Sequence, residues 1–465
     1  MLQTNLLKTA SSRVCLSTVT AVKKTREIPY NGGLPIIGTG WDIHKAGGAT
    51  KFHEYVDASH KQLGPIFKEN MGQFKAVFIS DPTLMRHIFS IEGEYPKHFV
   101  PKGWTLYNEI HKLQRGLFFM EGEEWYKHRK LMNKSFLAPD IVTNLKGVHQ
   151  RLTNNLIQRL KKHDGQEVPD IAFEFYRHSI SFVLGSLIGE AYWDKYDLYL
   201  SMVDDIARRW VHMFELTSRL EGLPSVKLVQ LLNLSLWTQF EASVTGSLET
   251  SREVVTEALK HRSPNSLLDK LVKDGLSEKV IYAIVSDLLL AAGDTTSYTS
   301  QWASYFLGKH KEAQEAARKD PSLVKGVIKE TLRLCPPAIF ISRIIPEETS
   351  IHGYHLNKGE MVLLSLYSTG RNEHIYSSAN QFQPDRWTKI PGSVGYKGVN
   401  ETGGYLPFAM GVRSCIGVRL ANAQLHYTVS EILKNFELTT VEDVEMILKL
   451  IPVPSKPLKI KIKCL

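Results

Sequence analysis

The residues most able to do chemistry in this 465-residue chain lie in one loop, Phe408-Ala-Met-Gly411-Val-Arg413-Ser-Cys415-Ile-Gly417. A helical pattern, VRLANAQLHYTVSEIL, follows directly, so Cys415 sits at a helix N-terminus. Backbone N–H groups and the helix dipole there favour a thiolate over a thiol. Gly411 and Gly417 let the backbone turn tightly and lie close to something flat. Arg413, two residues before the cysteine, can pair with an anion beside it. The chain has four cysteines, too few for a disulfide scaffold. Cys15, Cys335 and Cys464 have no such company and read as inert thiols.

Three further groups have informative spacing. A long helical pattern from Ser277 to about His310 carries Leu288-Leu-Leu-Ala291-Ala292-Gly293-Asp294-Thr295-Thr296, with Ser277 as its N-cap. Glycine inside a helix costs ~1 kcal/mol relative to alanine, and aspartate is a poor interior residue. A hydroxyl there can bond the carbonyl four residues back and bend the helix, and the small side chains leave room for a ligand. Trp125 and Arg129, at i and i+4, put an indole N–H and a guanidinium on one helix face, suited to gripping a carboxylate. Glu330 and Arg333, at i and i+3, also share a face, although alone such a pair is a weak surface ion pair.

Phe408, Gly411, Arg413, Cys415 and Gly417 together resemble the haem-binding signature of the cytochrome P-450 family. Glu330-Thr-Leu-Arg333, Phe382-Gln-Pro-Asp-Arg386-Trp, Trp125-Tyr-Lys-His-Arg129 and the AAGDTT segment are similar to that family's other motifs and occur in its order, from about Pro29 to the C-terminus. The resemblance implies a haem-thiolate monooxygenase, with haem b ligated by Cys415 in the loop of Phe408 and Gly417, and with O2 as co-substrate. It implies a structural network of Glu330, Arg333 and Arg386 that locks the cysteine loop. Trp125, Arg129, Arg343 and Arg413 would clamp the haem propionates, while Asp294 and Thr295 would deliver protons for oxygen activation. Two departures stand out. Gly370-Arg-Asn372-Glu373 lacks the family's aspartate-proline pair, and Asn422 stands where an acid is frequent.

These residues need elements to hold them. Ala76–Ser80 and Met361–Ser368 are β-type runs, and Asp81-Pro82 caps and begins a helix. Residues 446–462 read as two strands around a Pro-rich turn, and 381–417 as irregular. Long helical patterns fill the chain from about 120 to 335. The fold class is mainly α with a small β-rich region around one haem. Ala291, Ala292, Ala338, Ile339, Phe340 and Ile341, with the Pro452–Pro454 turn, are candidate linings of an apolar pocket suited to a rigid hydrophobe.

Residues 1–26 contain five basic residues, eight Ser/Thr and no acid, which is the mitochondrial transit-peptide pattern, leaving 27–465 as the enzyme domain. They hold five of the nine net positive charges, so a processed chain would carry +4. No nucleic-acid-binding motif accompanies that charge. A mitochondrial member of the family takes electrons from a ferredoxin supplied by an NADPH-dependent reductase. Lys325 and Lys329, one helical turn apart, match the family's docking lysines, and Arg419 extends the patch. The implied location is the matrix side of the inner membrane, with peripheral contact through the apolar Asp194–Phe240 region. The implied substrate is a steroid, foremost 2-deoxyecdysone hydroxylated at carbon 2 in moulting-hormone synthesis. Hydroxylation at carbon 22 or 20, or a non-oxygenase haem-thiolate isomerisation, is the alternative.

Overall fold

The computed structural model describes residues 26–34, 38–72, 74–223 and 225–465. The expected transit segment, up to residue 25, and Pro224 lie outside them.

A helix from Glu278 to Lys309 runs through the centre of the molecule. Its 32 residues span about 48 Å at 1.5 Å per residue. It is long and apolar enough to cross a membrane, yet 67% of its most apolar window is buried inside the protein, so it is a core helix. Ser277 has extended N-cap geometry, but its side chain makes no capping bond. The helix packs most extensively on Ile171–Ile188, a segment apolar almost all round and therefore buried in the helical body. Asp170 caps that second helix by accepting the Phe173 N–H at 2.9 Å. Helices Ser235–Lys260, Val324–Leu334 and Val418–Asn435 and the strand Phe436–Thr440 also pack on the core helix.

The β region is a five-stranded sheet in the order Tyr30–Asn31, Ile66–Asn70, Lys75–Ile79, Met361–Ser365, Phe340–Ile344. Lys75–Ile79 and Met361–Ser365 run parallel, and Phe340–Ile344 is antiparallel to the latter, with Arg343 opposite Val362. The first expected strand is thus present, and Asp81 caps the next helix by accepting the Leu84 N–H at 2.8 Å. The second is shorter than expected: after Ser365 the chain turns into the helix Leu366–Gly370.

At the C-terminus the expected pair of strands is corrected to three. Met446–Lys449 pairs with Ile451–Pro454 across Leu450, whose φ is +60°, while Ile460–Cys464 pairs with Phe436–Thr440. Pro452 and Pro454 therefore lie in a strand rather than a turn. The ribbon is two-stranded, so its outer edge needs no N–H donors and tolerates proline. Between Gln381 and Gly417 only two short 3-10 turns, Pro384–Trp387 and Thr402–Gly404, interrupt irregular chain.

Candidate functional site

The cysteine loop is shaped by its own backbone and by one distant carboxylate. Cys415 N–H donates to Phe408 O at 2.9 Å, and Ser414 N–H to Gly411 O at 3.2 Å. Gly411 has φ +77°, and a Cβ there would fall 1.9 Å from Glu92 Oε1. Only glycine allows that approach. Glu92 accepts the Val412 N–H at 2.9 Å and Arg343 Nε–H at 2.5 Å, both within the protein interior.

Cys415 exposes a large share of its surface, yet desolvation is the leading influence on its thiol. Both hold only if that surface faces an internal cleft rather than bulk water. Burial pushes the thiol up, while the Gly417 N–H and Arg129 pull it down. The helix-terminal Gly417 N–H thus favours the thiolate as expected, burial opposes it, and a bound cation would supply the remainder.

Beside the loop, Arg413 lies 4.4 Å over the Trp125 ring and donates to Met120 O at 2.5 Å. Its Nη1–H donates to His98 Nδ1 at 3.1 Å, which puts the imidazole proton on Nε2. Burial, with Arg413 and Arg343 close by, drives His98 down to about 3, so the ring stays neutral. Burial also lowers Arg413 to about 10, which leaves it a cation. Arg129 donates Nε–H to Asn133 at 2.8 Å. Three donors in this region, His98 Nε2, Arg343 Nη2 and Arg413 Nε, are buried without a partner. Leaving each unmade costs about 1–3 kcal/mol. Arg129, Arg343 and Arg413 share the space with the carboxylate of Glu92, and Glu121 also acts on Arg413, so three cations face two carboxylates and positive charge is in excess. A ligand with two carboxylates and a metal facing Cys415 answers both imbalances, so the residues fit haem b. His98 and Glu92 escaped the sequence reading because neither has an informative spacing to Cys415; each arrives from more than 300 residues away.

Glu330, Arg333 and Arg386 come together as expected. Glu330 accepts Arg333 Nη2–H at 2.6 Å and Nε–H at 2.8 Å, Arg386 Nε–H at 2.8 Å, and the Trp387 indole N–H at 2.9 Å. All three charged side chains are 0–1% exposed. Arg333 also reaches Gly370 O and Ala379 O, and Arg386 reaches Ser377 O, so the network pins the irregular stretch that leads to the cysteine loop.

On the core helix, Thr295 Oγ1–H donates back to Ala291 O at 2.8 Å. The helix nevertheless continues unbroken from Glu278 to Lys309, so the expected bend does not become a break. Ala291 is exposed although it lies mid-way along a core helix, the mark of a cavity wall. Asp294 turns away from that face, into the neighbouring helix, where it meets Tyr176, a residue with no spacing signal.

The candidate lining divides. Ala338 is exposed, and Ile339 is buried. Phe340 and Ile341 point to opposite sides of their strand. Phe340 packs against the Phe52 and Phe78 rings, at 5.6 and 5.8 Å, and Ile341 joins Ile66, Val77 and Leu364 in another cluster. These four residues do not form one wall.

Lys325 and Arg419 are exposed. Lys329 is different: its ammonium donates to the Tyr396 hydroxyl at 2.8 Å and sits 4.3 and 5.0 Å from the Tyr396 and Trp387 ring centres. Cation–π contact with these rings and with Tyr405 at 5.8 Å restrains it, so the expected docking pair is one free and one restrained lysine. Asn422 spends its side-chain N–H on Val418 O, within its own helix.

A fold of this shape with a thiol facing a carboxylate-seeking cleft defines a haem-thiolate class. The family model for cytochrome P450 matches residues 28–463, and the chain belongs to that family. It is therefore a monooxygenase of the kind that holds haem through a cysteine thiolate and uses O2. It is 36% identical to cytochrome P450 315a1, mitochondrial, of Drosophila melanogaster, over 94% of this chain and 88% of that one. It is 27% identical to the mitochondrial cholesterol side-chain cleavage enzyme of Oncorhynchus mykiss, over 95% and 91%. It is 26% identical to the mitochondrial 1,25-dihydroxyvitamin D(3) 24-hydroxylase of Rattus norvegicus, over 96% and 90%. The retinoic acid-bound structure of cyanobacterial CYP120A1 superimposes with a TM-score of 0.74 at 20% identity, covering 95% of this chain and all of that one, which establishes the likeness of fold.

Proposed function

We propose that this chain is a mitochondrial steroid hydroxylase, acting on carbon 2 of 2-deoxyecdysone with electrons from a ferredoxin and its NADPH-dependent reductase. The observation that carries the reading of the site is the convergence of Cys415 with three unpartnered buried donors and an excess of positive charge. Cys415 is the iron ligand, and Arg343, Arg413, His98, Trp125 and Arg129 hold the propionates. Bound haem supplies the activation of O2 and the insertion of one oxygen atom into a C–H bond. The chain's own residues orient the steroid against the Ala291 face and move protons through Thr295 and Asp294.

Support for the substrate comes from the relatives, among which the two vertebrate proteins above act by name on a sterol and a secosteroid. The segments AAGDTTSYTSQW, MVLLSLYSTGR and LPFAMGVRSCIG resemble the arthropod ecdysteroid 2-hydroxylase known as shadow. The mitochondrial assignment rests on the acid-free N-terminus and on the relatives' names. Exposed Leu228, Leu231, Leu232 and Leu234, on and after the helix Val226–Leu231, support a peripheral contact with the inner membrane. The deciding experiment supplies reconstituted enzyme, ferredoxin and reductase with 2-deoxyecdysone and with its analogues open at carbon 22 or 20. Product oxygenated only at carbon 22 or 20 rejects the carbon-2 assignment.

Docking is read at Lys325 and Arg419. Lys325→Glu together with Arg419→Glu is expected to raise the ferredoxin KM roughly tenfold and to flatten its salt dependence, as for charges that steer encounter. Lys329→Glu should instead lower stability, because it puts a carboxylate among aromatic rings. A double variant with unchanged ferredoxin KM places the docking face elsewhere.

A further inference from the structure

The acid of the core helix is in an unusual setting. Asp294 and Tyr176 are both buried, and the Tyr176 hydroxyl donates to Asp294 Oδ1. Asp294 Oδ2 is buried with no partner. Among the described residues Asp294 makes no ion pair, and the titratable groups that face it are both phenols, Tyr176 from Ile171–Ile188 and Tyr298 from its own helix. Gly293 makes the approach possible: a Cβ there would lie 3.1 Å from Tyr176 Cε1 and 3.3 Å from Cζ. One turn along the same helix, Ser179 Oγ–H donates to Ala292 O at 3.0 Å and accepts Gln424 Nε2–H at 2.9 Å. That contact fixes the register in which the phenol meets the acid.

We propose that Tyr176 is the positioning residue of this acid: it holds Oδ1, so that Oδ2 carries the carboxyl proton as an unpartnered donor. The inference rests on the assignment of Asp294 to proton delivery. Burial raises the Asp294 carboxyl to about 8, and the phenol bond restrains that rise. An acid in this range keeps its proton at neutral pH and can still release it. When the Oδ2 proton leaves, the carboxylate that remains is stabilised by the Tyr176 O–H, and a proton from water restores the acid. A phenol stabilises the carboxylate by one neutral hydrogen bond, without a charge that would hold the acid ionised.

The test compares haem-loaded wild type, Tyr176→Phe and Asp294→Asn by infrared spectroscopy and by product formed per NADPH. Wild type should show a protonated carboxyl C=O band that is absent from Asp294→Asn and titrates near pH 8. In Tyr176→Phe the band should move to higher frequency and persist to higher pH, because the bond that favours the carboxylate is gone. Product per NADPH should fall by about tenfold, below the 10²–10⁴ of a group that itself transfers the proton, with the substrate KM unchanged. A merely structural tie between helices would leave the band and its titration in place. An unmoved band and unchanged coupling in Tyr176→Phe overturn the proposal while leaving Asp294 as the acid. Unchanged coupling in Asp294→Asn rejects the acid assignment and the inference with it. Should Tyr176→Phe fail to take up haem, Gly293→Ala, which presses on the phenol ring, must shift the same band for the proposal to stand.

Discussion

Glu330→Gln is expected to lower folding stability by about 3–5 kcal/mol, the cost of leaving buried charge uncompensated. One carboxylate here accepts side-chain bonds from Arg333, Arg386 and Trp387, and the Gln383 N–H at 2.9 Å besides. An amide keeps the shape but turns an NH2 group toward donors and strands two guanidinium groups 1% exposed. The loss should appear first at the irregular stretch, because Arg333 and Arg386 hold Gly370, Ser377 and Ala379 through their carbonyls. The cysteine loop hangs from that stretch, so haem retention should fall with stability. Denaturant melts and haem content measured on the same preparation check this. A midpoint matching wild type would mean that the network carries no net stability, as some buried ion pairs do not.

Cys415→Ala should act in the opposite way, with chemistry lost and fold retained. The Cys415 side chain faces an internal cleft, and the loop is held by backbone bonds, Cys415 N–H to Phe408 O among them, which alanine preserves. The thermal midpoint should stay close to wild type in the haem-free chain. Hydroxylation should fall below detection, and the carbon-monoxide difference spectrum of the reduced protein should lack its thiolate band, since alanine offers no ligand to iron. Residual turnover with a thiolate spectrum would place the ligand at another cysteine. Cys335, whose buried thiol is pushed up to about 12, is poorly suited to that part.

Both variants concern residues legible in the amino-acid sequence, and for one reason: each has an informative neighbour within a turn of helix or within one loop. Glu330 and Arg333 share a face by periodicity, Cys415 stands two residues from Arg413, and AAGDTT interrupts an apolar helix whose length the pattern marks correctly. Such relations are set by backbone geometry, which repeats over a few residues wherever it occurs. The β-run at Lys75–Ile79 and the cap at Asp81 belong to the same category.

Closure of the chain on itself decided the rest. Glu92 and His98 reach the cysteine loop across more than 300 residues, and Tyr176 reaches Asp294 across 118. No short-range spacing encodes those distances. Lys329 shares a helix with Lys325, but its place among Tyr396 and Trp387 depends on a loop folding over it. Even the sign of the Cys415 shift was a tertiary matter: the helix terminus favours the thiolate locally, and the desolvation that outweighs it comes from everything packed around the cleft. The sequence by itself therefore determined which groups could carry the chemistry, because local geometry places them on common faces. Only the tertiary structure decided which are paired, protonated or left with a free donor, because burial and charge balance are properties of the whole packed molecule.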